Sequence, residues 1–285
     1  MRYEDITVVI PVKERFNLLK LALQSINNQS LLPKYVMIVD DASKKKINLT
    51  KKYKFNIKII ENKKNIGVSA SRNKGIKLCK TKYICFIDTD DTWKKNKLKL
   101  QYNLAEKNKL DFVYCNYKNS KPSKEKIENN NEIFKRLINN WSNPNCSSFF
   151  FKSKSLKKLG YFDKKLKGSE DHDLWFRIAL SNLRVNYINS NLVNTENFNY
   201  FQISRNYHFR KHSLKVFFNK YKNLIPNTKY TKFRKHIYTK AFIPVLNGAI
   251  RKFDILIAIK CMRYLLFSKL FYKRYLYFLF RNFLN

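Results

Sequence analysis

Apolar and polar positions come in blocks along the first part of the chain, and the period changes from block to block. Residues 6–12 (ITVVIPV) form a β-branched run, the composition of a buried parallel strand, and Pro11 ends it. Residues 17–28 instead place Leu18, Leu19, Ala22, Leu23 and Ile26 at helical spacing. Pro33 then breaks the chain before a second strand at 35–39, a third follows at 55–61, and 65–67 reads as a turn. A helix over 68–78 leads to a fourth strand at 83–87. This order, β-α-β-β-α-β, predicts a parallel sheet with helices on both faces.

Farther on, residues 94–109 read as a basic amphipathic helix carrying Leu98, Leu100 and Leu104. Strand character returns at 112–117, 145–151 and 187–193, while 118–131 is polar and reads as a loop or insertion. A helix opens on Glu170, Asp171 and Asp173 and presents Leu174, Trp175, Ile178 and Ala179 as its apolar face. From Tyr207 onward acids vanish apart from Asp254, and cations interleave with aromatics. Over 253–280 and just beyond, Lys260, Arg263, Lys269, Lys273, Arg274 and Arg281 fall on one side of a helical projection, with Ile257, Leu265, Tyr272 and Leu279 opposite. Such a helix suits the surface of an anionic membrane; the plainer alternative is a helical layer packed on the preceding domain.

Composition narrows the partners. At 285 residues and 44% hydrophobic, the chain suits one large α/β domain, or one domain plus an appendage. Its 59 Lys and Arg against 20 Asp and Glu, a net charge of +39, imply an anionic partner. No helix-turn-helix, zinc-finger, RRM or KH signature is present, which places nucleic acid behind an anionic membrane. The 5 cysteines are scattered without a CxxC pair and read as reduced cytosolic thiols, with no zinc site. The first residues read as a strand and not a signal peptide, and no run of about 18 apolar residues predicts a membrane span.

Against this basic background the acids stand out. The run YICFIDTDDTW ends a strand on Asp88, Asp90 and Asp91. Ligands of α/β sheets bind beyond the carboxyl ends of strands, where carboxylates can hold a hard cation and the cation a phosphate. The second strand ends on Asp40 and Asp41, followed by Ser43. A turn or helix cap would explain those two alone, but two acidic strand ends opening on one sheet edge favour a site. Gly67 and Gly75, two of only 5 glycines, flank VSASRNK, and neither GxGxxG nor a Walker sequence occurs. Glu170 and Asp171 suit either the dipole of their helix or a general base, and His172 between them suits either a structural place or a contact to acceptor or metal.

Five stretches in order resemble the family 2 glycosyltransferases, which have the GT-A fold: VVIPV, VDDAS, NIGVSASRNKGI, YICFIDTDDTW, and LGYFD followed by EDHDLW. The resemblance implies an α/β, Rossmann-like and mostly parallel sheet flanked by helices, with a C-terminal basic helical extension. It implies a catalytic domain over 1–206, with a nucleotide-sugar half at 1–100 and an acceptor half at 101–206, and a tail over 207–285 that reaches a membrane. It also implies an inverting transfer from a nucleotide-sugar, expected to be a UDP-sugar, assisted by Mn2+ or Mg2+. By position, Pro11, Lys13, Asp40, Asp41, Arg72, Asp88 and Asp90 would line the donor, with Asp41 on the base and Asp90 near the ribose. Asp90 and Asp91 would hold the metal, Asp171 would be the catalytic base, and Glu170, His172 and Trp175 would lie on the acceptor side. Lys13 departs from the aromatic or small polar residue many relatives carry there. The acceptor implied is a glycan or lipid-linked glycan of lipopolysaccharide, capsule or related surface polysaccharide, at the inner face of the cytoplasmic membrane. Two other readings stand beside this one: a nucleotidyltransferase, which would need a glycine-rich loop that PVKERFN lacks, and a basic nucleic-acid-binding protein.

Overall fold

The computed structural model describes residues 3–117, 133–134, 145–195, 206–225, 227–251 and 254–265. The polar stretch at 118–131 and the basic helix expected over 266–281 lie outside the described residues. Those described fall into two compact units. The first holds 3–117, 133–134, 145–164 and 174–195; the second holds 165–173 and the described residues from 206 on. The short segment 165–173 groups with the C-terminal helices.

The first unit is built on an eight-stranded sheet. Its strands are β1 (Tyr3–Val12), β2 (Leu32–Asp40), β3 (Asn56–Glu61), β4 (Tyr83–Phe86), β5 (Asp91–Trp93), β6 (Phe112–Tyr117), β7 (Phe150–Lys152) and β8 (Val185–Thr195), in the order β3-β2-β1-β4-β7-β6-β8-β5. The half from β3 to β4 is parallel, as the sequence pattern predicts. β7 runs antiparallel to both β4 and β6, and β5 antiparallel to β8, so the sheet is mixed. The three-residue β5 lies within the acidic stretch that the sequence reads as a strand end and loop.

Helices α1 (Phe16–Asn27), α2 (Val68–Leu78), α3 (Lys97–Lys107), α4 (Ser153–Leu159) and α5 (Glu170–Ala179) connect these strands, α5 beginning in the second unit and continuing in the first. On α1 the buried residues are Leu18, Leu19, Ala22, Leu23 and Ile26, the face expected from its spacing. On α3 they are Lys97, Leu98, Gln101 and Ala105, while Leu100 faces solvent. Gln101 explains this choice, since its amide donates to the carbonyls of Val113 (3.3 Å) and Ser148 (2.9 Å), which buried backbone requires. Lys97 lies over the Trp93 ring, 3.9 Å from its centroid, and donates to Gln101 Oε1 at 2.7 Å. All five cysteines are free and buried.

The second unit contains helices α6 (Tyr207–Tyr221), α7 (Asn227–Arg251) and α8 (Ile255–Leu265). Its described interior is aromatic: Phe242 stacks on Tyr264 with centroids 4.7 Å apart, and Tyr238 stacks on Phe218 at 5.5 Å. Asp254 caps α8 by accepting from the Ile257 amide at 3.0 Å, which gives the lone acid of this region a structural role. No described helix is long and apolar enough to cross a membrane.

Gly75 marks where α2 packs on β1. A Cβ there would meet Val9 Cγ1 at 2.5 Å, whereas one on Gly248 would meet nothing within 4 Å. Gly75→Ala is expected to lower unfolding stability by about 1–3 kcal/mol. Gly248→Ala, inside a helix, is expected to raise it by up to about 1 kcal/mol. Urea unfolding of the two variants checks both.

Candidate active site

The loops after β1, β2 and β4 meet at the carboxyl edge of the parallel strands. After β1 come Lys13, which is exposed, and Glu14 at φ 58°. The Glu14 amide donates to Ser43 Oγ at 2.9 Å, and its carboxylate accepts from the Lys44 amide, joining the first two loops. Arg15 reaches the third loop, its guanidinium 3.2 Å from Asp90 Oδ2. Pro11 remains inside β1, in register with Val39.

The acids after β2 are buried and form turns. Asp40 accepts from the Ser43 amide at 3.1 Å and from its hydroxyl. Asp41 accepts from the Ile66 and Gly67 amides, each at 2.8 Å, and from Asn62 at 3.1 Å. Gly67 takes φ +88°, a conformation in which glycine is unstrained, and this turns its amide onto Asp41 just before α2. The turn reading therefore describes the hydrogen bonds of both acids, and Asp41 fixes the loop from which α2 springs.

Burial sorts the three acids after β4. The Asp88 side chain is 31% exposed and ion-paired to Arg72 at 2.5 Å. Asp90 is 24% exposed and paired to Arg15. Asp91, first residue of β5, is only 6% exposed, and its carboxylate accepts from the Ser147 hydroxyl and, at 3.4 Å, from Asn145. Ser147 Oγ also accepts from the Asp88 amide at 3.0 Å, so one buried hydroxyl fixes both ends of the turn. Burial and the charge of Asp88 push the carboxyl of Asp90 up from the ordinary carboxylate range, and that of Asp91 well above it. The acids expected at the metal were Asp90 and Asp91; in the structure the two more exposed are Asp88 and Asp90, because Asp91 is drawn inward as β5 begins.

Arg72 is buried on α2 and lies over Phe162, 5.3 Å from the ring centroid. Phe162 belongs to the LGYFD stretch and is locked to α2 by two bonds of 2.8 Å with Asn73. Sequence reasoning named Arg72 but missed Arg15 and Asn73. Ser147 carries no motif, and its partner Asp91 is 56 residues away in sequence. Trp175 lies in the first unit, buried against Phe112, Tyr114 and Phe149. This aromatic packing is a core position.

In the second unit the first turn of α5 is strongly polar. Glu170 accepts from the Gly168 amide at 2.8 Å. Asp171 accepts from the His172 amide at 2.8 Å, and His172 Nδ1 lies 3.3 Å from the same Asp171 oxygen. Asp173, fully buried, meets Lys220 Nζ at 2.6 Å and the Tyr221 hydroxyl at 2.7 Å. Burial, then the charge of Arg210, push His172 down from 6.5 to about 3, so the imidazole is neutral near pH 7.

The carboxylate-ended strands are features that a family comparison can decide. Residues 7–162 match the model of Glycosyl transferase family 2. The chain belongs to that family. It is 31% identical over 191 residues to an uncharacterized glycosyltransferase of Methanocaldococcus jannaschii, covering 61% of this chain and 64% of that protein. An uncharacterized glycosyltransferase of Rickettsia bellii is 29% identical over 191 residues, 64% of this chain but 27% of that protein. The match therefore spans less than two thirds of those relatives. UDP-Glc:alpha-D-GlcNAc-diphosphoundecaprenol beta-1,3-glucosyltransferase WfgD of Escherichia coli is 26% identical over 136 residues, 47% of this chain and 50% of that protein. Among solved structures, S. aureus TarS 1-349 in complex with UDP-GlcNAc aligns with a TM-score of 0.59 at 17% identity, covering 92% of this chain and 90% of that one. This family 2 chain thus has the GT-A fold, with a largely parallel sheet and a helical C-terminal part.

His172 has a testable consequence. Its folded pKa lies below the unfolded value, so only the unfolded chain gains a proton as pH falls between them. The stability it contributes is complete above about 6.5 and is lost as pH falls toward about 3. Between pH 7 and pH 5 the wild type should lose about 1–2 kcal/mol from this source. His172→Gln should show a smaller loss in urea titrations at the two pH values.

Proposed function

We propose that the chain is an inverting, divalent-cation-dependent hexosyltransferase that moves a sugar from a UDP-sugar to a hydroxyl of a glycan or lipid-linked glycan, in the synthesis of a surface polysaccharide such as lipopolysaccharide or capsule. The observation that carries it is the acidic turn after β4. Asp88 and Asp90 are partly exposed and closely spaced, and each already attracts an arginine. Such a pair fits Mn2+ or Mg2+, which takes one or two carboxylates and completes its shell with substrate phosphates and water. Among the described residues no cluster of three or more His, Cys, Asp or Glu side chains makes a self-contained metal site. Of the residues expected at the metal, Asp90 keeps that role in this reading, Asp88 joins it, and Asp91 braces the turn.

When bound, the cation neutralises the departing diphosphate as a Lewis acid. The protein's own groups do the rest. Arg72 and Arg15 hold the exposed carboxylates, which would be the ones to hold a cation, and would themselves offer donors to the diphosphate oxygens. Lys13, exposed two residues before Arg15, faces phosphate in place of stacking on the base. Asp41 keeps the loop at Gly67 open for the nucleotide. Asp171 takes the proton of the acceptor hydroxyl as it attacks the anomeric carbon, and one displacement inverts that centre. Neutral His172, 3.3 Å from Asp171, keeps that carboxylate oriented. The names of WfgD and of the UDP-GlcNAc complex support a UDP-sugar donor and, for WfgD, a diphospholipid-linked acceptor.

The experiment is a panel of UDP- and GDP-sugars scored for Mn2+-dependent thermal stabilisation and UDP release. Asp88→Asn and Asp90→Asn should each lower Mn2+-dependent turnover by at least about 100-fold, while Asp171→Asn should abolish transfer and leave UDP binding intact. Wild-type turnover in Asp90→Asn and Asp171→Asn together would refute the reading.

We further propose that the C-terminal region meets the inner face of the cytoplasmic membrane. Its support is α8, where Ile255, Leu256 and Ile259 are 72%, 63% and 55% exposed beside exposed Arg263, in a chain of net charge +39. Replacing the three apolar residues with Ser should reduce sedimentation with phosphatidylglycerol vesicles severalfold without changing UDP binding; equal sedimentation would remove α8 from the interface.

A further inference from the structure

The buried face of α6 is unusual for a packing helix. Arg210, Ser213, Leu214, Phe217, Phe218 and Tyr221 are all buried along it, and its polar groups converge on residues 167–173. Arg210 Nη1 donates to the Gly168 carbonyl at 2.6 Å and lies 3.1 Å from Ser169 Oγ. Ser213 Oγ donates to the Lys167 carbonyl at 2.9 Å. Lys220 and Tyr221 hold the Asp173 carboxylate at 2.6 and 2.7 Å. Spacings of three, seven and one between these four residues keep them on one side of a helix. Gly168, at φ +77°, gives the held segment a tight bend, and its amide in turn holds Glu170.

A hydrophobic face would have sufficed to pack α6. Burying a guanidinium is costly unless its donors and its charge are met. Here the Gly168 carbonyl and Ser169 Oγ meet Nη1, and Asp171 and Glu170 supply the opposing charge. The cost falls on the segment that carries Asp171, and the benefit is a fixed backbone there.

We propose that α6 is a clamp on the Asp171 segment and that Arg210 is a positioning residue for transfer, an inference that rests on the reading of Asp171 as the base. Ser213 fixes the start of the segment, Arg210 its bend, and Lys220 with Tyr221 its end. Asp171 is left between two anchored points with its carboxylate set by the first turn of α5. The C-terminal extension therefore does more than cover a surface: without α6 the base has no fixed place.

The test uses the full chain with Arg210→Met, Arg210→Lys and the milder Ser213→Ala. Hydrogen exchange needs no substrate. The Ser169 and Asp173 amides, bonded to Leu166 and Ser169 carbonyls, should exchange at least about tenfold faster in Arg210→Met, and severalfold faster in Ser213→Ala. Kinetics on the UDP-sugar that gives the fastest Mn2+-dependent UDP release should show kcat lowered by about 10- to 100-fold in Arg210→Met with the donor KM within twofold. Arg210→Lys, which keeps the charge but not the fork, should fall between. Unchanged exchange at 169–173 overturns the clamp, as does faster exchange with wild-type kcat, or a kcat loss matched by loss of folded protein. If Asp171→Asn turns over like the wild type, the base assignment fails; if Asp171→Asn is dead and Arg210→Met is not, the clamp alone fails.

Discussion

Three carboxylates within four residues repel one another, and the acidic turn after β4 exists only because the surrounding fold answers that repulsion. Two answers are visible. Arg72 and Arg15 bring positive charge to Asp88 and Asp90. Ser147 brings a neutral donor to Asp91 and accepts the amide of Asp88. Each partner needs its own support. Arg72 is fixed on α2, which is registered on the sheet by Gly75 against Val9 and tied to Phe162 through Asn73. Ser147 is held by the Trp93 indole, which donates to its carbonyl at 2.9 Å. The sheet order, the α2 packing and the short 3-10 turn at Cys146–Ser148 all act on one loop.

Much of this arrangement was legible in sequence where the signal is local. The apolar face of α1 and the parallel half of the sheet follow from spacing and from β-branched runs, because both elements bury almost nothing but hydrocarbon. The acids were legible because they are rare in a chain with so many cations. The face of α3 was not legible, since Lys97 and Gln101 are buried for the hydrogen bonds and the ring contact they make. A hydrophobic pattern assigns such residues to solvent. β5 was hidden because its pairing partner, β8, lies about a hundred residues away in sequence.

The site residues divide the same way. Asp88, Asp90 and Arg72 sit in runs that carry the family's pattern. Arg15 and Ser147 act on acids 75 and 56 residues distant, and Arg210 on a segment 42 residues before it. Such pairings depend on topology, and nothing in their immediate sequence marks them. The distinction between Asp90 and Asp91 was invisible for another reason. Adjacent residues at the start of a strand point to opposite sides, so two identical side chains can differ sharply in exposure.

The tail shows how charge alone misleads. The excess of Lys and Arg beyond Tyr207 reads as a surface for anions, and α8 does present an apolar strip beside a cation. Yet the cations of α6 have different fates. Arg210 is buried on the Gly168 carbonyl, Lys220 pairs with a buried aspartate, and Lys211 faces solvent. A cation committed to the interior is lost to a membrane, and one that holds a backbone segment is tied to the fold. The net charge is thus the sum of at least two kinds of lysine and arginine, and only position in the fold separates them.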